Sequence, residues 1–209
     1  MKDVKSKQPN QYHHGDLRAA LIDGASSLLE EEGLEGLNLR RLARMVGVSQ
    51  PALYRHFAGK DELLAAVGEA GLMGLGERTR EGYEAATTRE GRLCAVGDSY
   101  VRHAHAHPGW FRLWFSSSEA QRRLTSPSTP AALLVIDHLA RAALADFVCE
   151  SDPRFDHLFR VMWGLVHGLA AIVVDQLFQR VDTDEERLQA AADAIAHFVA
   201  LLGASGQPA

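Results

Sequence analysis

Cysteine is almost missing: Cys94 and Cys149 are the only two in 209 residues. Such a pair is no disulfide framework and suits a reducing compartment, so a cytoplasmic protein is expected. Also missing is an apolar run long enough for a bilayer. The longest, Val161 to Val174, contains His167 and falls short of the ~20 residues a spanning helix needs. No membrane association is expected. The N-terminus carries Lys2, Asp3, Lys5 and Lys7 and no apolar signal core. No alternating strand pattern occurs, which points to an all-α chain. Enzyme signatures are lacking too: there is no nucleophile elbow, P-loop or zinc-hydrolase motif. The string GLMGLG, from Gly71 to Gly76, does not match the dinucleotide fingerprint, and no strand precedes it. An enzyme is not expected, and no cofactor or metal.

One absence is local. Residues 38–60 contain no acidic side chain but five basic ones, Arg40, Arg41, Arg44, Arg55 and Lys60, in a chain of net charge −5. Residues 1–60 hold nine Lys/Arg against seven Asp/Glu, a balance of +2; residues 61–209 hold thirteen against twenty, −7. Positive charge is thus concentrated in one small module, the pattern of a confined nucleic-acid contact rather than a coat.

The same stretch reads as two short helices and a turn. Leu39, Leu42, Ala43 and Val46 form one apolar stripe after Asn38, a good N-cap. Gly47 suits a left-handed C-terminal position. Val48 plugs the angle between helices, Ser49 is a second N-cap, and Pro51 sits in the first turn, where its missing N–H costs nothing. Ala52, Leu53 and Phe57 face a small core, and Gly59 ends the helix. In a helix-turn-helix, bases are read by the N-terminal residues of the second helix, here Gln50, Pro51 and Ala52. Gln can bond adenine bidentately, and Pro or Ala can touch a thymine methyl. Tyr54 and Lys60 suit phosphates.

The rest of the chain divides into an arm (residues 1–12), a helix-turn-helix domain (13–59), a connecting helix (60–86) and a C-terminal ligand-binding and dimerisation domain (87–205). The first helix runs from a cap at Asp16 to Gly33, with Glu30, Glu31 and Glu32 opposing its dipole and so placed at the surface. The connecting helix carries Gly68, Gly71 and Gly74 on one face, for close packing or as a soft connector. Pro108-Gly109 ends the next helix, and a short aromatic one follows from Trp110 to Phe115. A polar stretch leads to a helix from about Pro127 to Glu150. Asp152-Pro153 opens a long helix to Arg180, read as buried on nearly every side from Leu158 to Phe178. Thr183 and Glu186 form a capping box for a last helix closed by Gly203. The total is about nine helices. The last two are expected either to fill the core or to pair with a second subunit in a four-helix bundle, since helix-turn-helix readers work as symmetric dimers.

Residues 12–67, above all GVSQPALYRHFAGKDELL, resemble the TetR family of bacterial transcriptional repressors. The resemblance implies an all-helical homodimer on palindromic operator DNA, with an N-terminal DNA-binding and a C-terminal ligand-binding domain. It assigns base contacts to Arg40, Gln50, Pro51 and Ala52, and phosphate contacts to Tyr54, His56 and Lys60, with Ser49 and Arg55 beside them. Trp163 to Ala170, WGLVHGLA, is similar to the Trp-His-Gly signature of one subgroup. A small, largely apolar inducer is expected in a pocket lined by some of Val101, Trp110, Phe111, Trp114, Phe115, Leu134, Trp163 and His167; the alternative is that these are plain core. His103 and His107, one turn apart, admit a metal-sensing reading against an exposed histidine-rich helix end. A ligand-independent regulator is the remaining alternative.

Overall fold

The computed structural model describes residues 17–115, 131–178 and 183–205. The N-terminal arm, the Asp16 cap and the helix start at Pro127 lie outside the described residues; the helix expected to reach Arg180 ends at Val174, with Gln176 at φ 55° just beyond it. Among those described there are nine helices and no strand: α1 (Leu17–Gly36), α2 (Leu39–Val46), α3 (Gln50–Tyr54), α4 (Lys60–Ala85), α5 (Arg89–Ala106), α6 (Pro108–Phe115), α7 (Ala131–Ala145), α8 (Phe155–Val174) and α9 (Asp184–Ser205).

Two apolar cores form. The first gathers Leu21, Ala25 and Leu28 of α1, Leu42 of α2, Leu53 of α3 and Phe57, with Leu63 and Val67 from the start of α4. The second gathers Leu72 and Leu75, further along α4, with α5 to α9. One helix therefore belongs to both cores. Its glycines serve close packing: a methyl on Gly71 would overlap the Trp110 indole, and one on Gly74 would lie 3.3 Å from His103 Cε1. Leu113 of α6 also joins the first core, so α6 bridges the two as α4 does.

Several helix ends differ from the sequence reading. Gly33 breaks α1 with φ 71°, but helical turns resume to Gly36. The recognition helix α3 ends at Tyr54, not Gly59; Gly59 precedes α4 in extended backbone. Helix α5 ends at Ala106, just before Pro108 and Gly109, and these two also open α6, because proline's fixed φ suits a first helical position as well as it stops a preceding helix. Helix α7 stops at Ala145. Helix α8 starts at Phe155, because Asp152 Oδ1 takes the Arg154 N–H at 2.8 Å in a tight turn. Helix α9 runs on past Gly203. Its capping box forms as read: Glu186 N–H donates to Thr183 Oγ1 at 3.2 Å and Thr183 N–H to Glu186 Oε2 at 3.1 Å.

Helix α8 is not buried on nearly every side. Val161 is 55% exposed and Trp163 40%, while Met162, Val166, Leu169, Ala170 and Val173 pack inward. By length and composition alone the 20-residue helix could cross a membrane, with mean hydropathy 1.6 over its best window, because Phe155 to Arg160 extend it beyond the apolar run that begins at Val161. Here its inner face packs on α5 and α9, and among the described residues its outer apolar face stays exposed at Val161 and Trp163.

Candidate nucleic-acid interface and cavity

Local chemistry builds the DNA-facing end. Asn38 Oδ1 accepts the N–H groups of Arg40 at 2.9 Å and Arg41 at 3.3 Å, which starts α2. Gly47 ends it in the left-handed region at φ 77°, where a side chain would be strained. Ser49 Oγ accepts the Ala52 N–H at 3.4 Å to start α3. Leu53 and Phe57 are fully buried and hold α3 in the core it shares with α1 and α2. The opposite side stays open: Arg40, Arg44, Ser49, Gln50, Pro51, Tyr54, Arg55 and His56 are all exposed, and Ala52 partly so. Eight of the nine sequence-predicted DNA residues thus reach solvent on one short segment.

The basic residues are not equivalent. Arg41 is held by an ion pair with Glu32, whose hydrogen bond also raises the guanidinium pKa above its usual value. Lys60, the ninth residue, lies half-buried with Nζ donating to the Leu34 carbonyl at 2.8 Å. That bond ties α4 to the end of α1 and leaves two ammonium donors for a phosphate.

A cavity of about 330 Å³ opens among α5, α7, α8 and α9, with Phe115 from α6 at its edge. Its wall is almost wholly apolar: Val96, Ile136, Phe159, Met162 and Val199 contribute, with Tyr100 and Asp137 the polar exceptions. Of the eight residues proposed for such a pocket, Phe115 and Trp163 line it. Phe111 and His167 stand behind them, His167 centred 4.9 Å from the Phe115 ring and Phe111 5.2 Å. Val101, Trp110 and Trp114 are core. Leu134 is 59% exposed; the inward face of α7 is Leu133, Ile136, Asp137 and Ala140, at helical spacing. The sequence reading missed Tyr100, whose hydroxyl lies 2.8 Å from His167 Nδ1. Its place in the α5 stripe beside Val96 and Val101 was the available signal.

Glu30 was placed at the surface by sequence, yet it reaches the second half of the molecule. Its Oε2 accepts the Gly109 N–H at 2.6 Å and its Oε1 that of Trp110 at 3.1 Å. Its negative charge caps the N-terminus of α6, where the helix dipole favours an anion. Trp110 Nε1 in turn donates to the Gly68 carbonyl of α4 at 3.0 Å. The helix that carries Phe115 to the cavity is thereby bonded to both α1 and α4.

His103 is not on an exposed helix end. It is 3% exposed, with neither ring nitrogen partnered among the described residues. Its ring lies 4.8 Å from Trp110 and 4.7 Å from His107, centre to centre. Burial, then the charges of His107 and Arg78, push its pKa down to about 4. No group of three or more His, Cys, Asp or Glu placed to hold a metal occurs among the described residues.

Residues 21–67 match the family model for bacterial regulatory proteins of the tetR family, and residues 93–204 that for the tetracyclin repressor-like C-terminal domain. The class C tetracycline repressor of Escherichia coli is 55% identical over 53 residues, 25% of this chain and 24% of that protein. The HTH-type transcriptional activator FasR of Mycolicibacterium smegmatis is 25% identical over 170 residues, 81% of this chain and 74% of that one. Among solved structures, a TetR-family transcriptional regulator from Streptomyces coelicolor superposes with a TM-score of 0.67 at 21% identity, covering 89% of this chain and 95% of its own.

Proposed function

This chain belongs to the TetR family of bacterial regulatory proteins, and from that premise we propose that it is a cytoplasmic, homodimeric repressor that leaves a palindromic operator when a small, largely apolar molecule fills its C-terminal cavity. It is a transcriptional regulator with a helix-turn-helix, not an enzyme. The observation that carries the ligand-responsive reading is α6. Phe115 at its C-terminal end borders the cavity, while its N-terminal end is bonded to Glu30 of α1 and, through Trp110, to Gly68 of α4.

A ligand that moves Phe115 or the ring cluster around it displaces a short rigid rod. Its other end carries α1 and the start of α4, whose Leu28 and Leu63 share the first core with Leu53 of the recognition helix and with Phe57, which follows it. Two half-sites are read together only when the recognition helices of a dimer sit at the spacing of successive major grooves. The ligand shifts that equilibrium by its differential affinity for the two shapes, and operator DNA weakens ligand binding by the same factor. Dimerisation covers the outer apolar face of α8, where Val161 and Trp163 are exposed, together with the exposed part of Leu201 on α9.

The reading is tested by fluorescence anisotropy of an operator obtained by selection from random duplex DNA. A cavity-binding compound should release wild-type protein. Ala140→Trp, which fills the cavity wall, should still bind DNA but no longer respond. Release of Ala140→Trp at the same compound concentration would place the effector elsewhere.

A further inference from the structure

We propose that the cavity selects neutral, mostly hydrocarbon molecules bearing one hydroxyl or keto group, and that Tyr100 reads that group. This rests on the cavity being the effector site. Its size sets the scale: 330 Å³ lies near the lower end of the roughly 300–1,000 Å³ found for small-molecule sites.

Charge narrows the class. Asp137 is the single acidic or basic side chain on the described wall. Its Oδ2 accepts from Arg141 Nε at 3.1 Å, and Arg141 also bonds Asp156 at 3.3 Å while lying 4.4 Å over the Phe159 ring. A carboxylate or phosphate ligand would meet a guanidinium already shared by two acids, and would leave water for an apolar wall without a compensating partner. An ammonium would meet a carboxylate already paired and 47% exposed, which returns little of its lost hydration.

Polarity points to Tyr100. The residue is 4% exposed, yet it borders the cavity with its hydroxyl 2.8 Å from His167 Nδ1. That hydrogen bond can run either way. When His167 donates, the phenol proton is free for a ligand carbonyl; when the phenol donates, its oxygen accepts from a ligand hydroxyl. Burial raises the pKa of Tyr100 and lowers that of His167, so the pair stays uncharged. Around the Tyr100 ring, Trp163 stands edge-on at 5.4 Å and Phe115 lies 6.0 Å away, centre to centre. Three ring walls suit a cyclic hydrocarbon frame.

The test is calorimetric titration with 2-tetralol, 2-tetralone, tetralin, tetralin-2-carboxylate and 2-aminotetralin against wild type, Tyr100→Phe and Ala140→Trp. The alcohol and ketone should bind wild type roughly threefold to tenfold more tightly than tetralin, the worth of one net hydrogen bond. The carboxylate and the ammonium should bind more weakly than tetralin. Tyr100→Phe should bring alcohol and ketone down to the tetralin value and leave tetralin unchanged. A preference that survives Tyr100→Phe, or a charged compound binding as tightly as the alcohol, overturns the proposal while the cavity reading stands. Absence of binding by all five compounds, or binding that persists in Ala140→Trp, overturns both. Operator binding verifies that each variant is folded, with Val96→Phe as a milder block should Ala140→Trp fail it.

Discussion

The amide of Gly109 donates to the Glu30 carboxylate at 2.6 Å across 79 residues of sequence. The approach is so close that a methyl on Gly109 would lie 2.6 Å from the Leu29 carbonyl, so only glycine fits. Glu30→Ala should remove two charge-assisted bonds, each worth about 1.5–3 kcal/mol before water replaces it. Thermal melting should fall by several degrees. Operator affinity should persist, while the ligand concentration for half-release rises. A ligand response identical to wild type would deny Glu30 any part in coupling the two halves.

Gly71 tests the packing of α4 against α6. Gly71→Ala should cost about 1–3 kcal/mol or more through overpacking on the Trp110 indole. Gly74→Ala, with His103 Cε1 at 3.3 Å, should cost far less. Denaturant melts of the two variants check the contrast. Gly71→Ala as stable as wild type would return the glycines to the role of a soft connector.

His103 makes stability pH-dependent. Its folded pKa of about 4 lies below the ordinary 6.5, so the unfolded chain binds the proton first. Stability should be full above about pH 6.5 and decline as pH falls toward 4, by at most about 3 kcal/mol, less for residual hydration. The neighbours that face it are His107 on its own segment, Arg78 of α4 and the indole of Trp110. His103→Leu should flatten the melting temperature between pH 4 and 6.5. An undiminished slope would assign the acid sensitivity to other groups.

Much of the DNA-facing end was legible because its signals are local. Asn38, Gly47 and Ser49 each act within three residues, and the box of Thr183 and Glu186 is equally short-range. What escaped depends on distance or on a partner. Nothing near Glu30 announces Gly109, Pro108 reads equally as stop or start, and one step along α7 separates inward Leu133 from outward Leu134. The apolar sequence of α8 says that its faces are to be covered, but not which of them stays exposed, as Val161 and Trp163 do.

Leu201→Glu tests that outer face. Leu201 is 56% exposed, so the substitution costs the monomer little, but a charge buried in a subunit interface is strongly unfavourable. Sedimentation should show a monomer with a normal melting curve and lost operator affinity. A Leu201→Glu dimer would move the interface off α9.

Reading of duplex DNA through α3 is open to direct test. The most direct measurement is selection from a random duplex library with wild type and with Gln50→Ala, followed by sequencing. Wild type should enrich a pseudo-palindrome whose half-sites lie one or more helical turns, ~10 base pairs each, apart. Gln50→Ala should relax the preference at one symmetric pair of positions and leave the rest intact. An unstructured pool from wild type, or an unchanged motif from Gln50→Ala, would show that α3 does not read the bases.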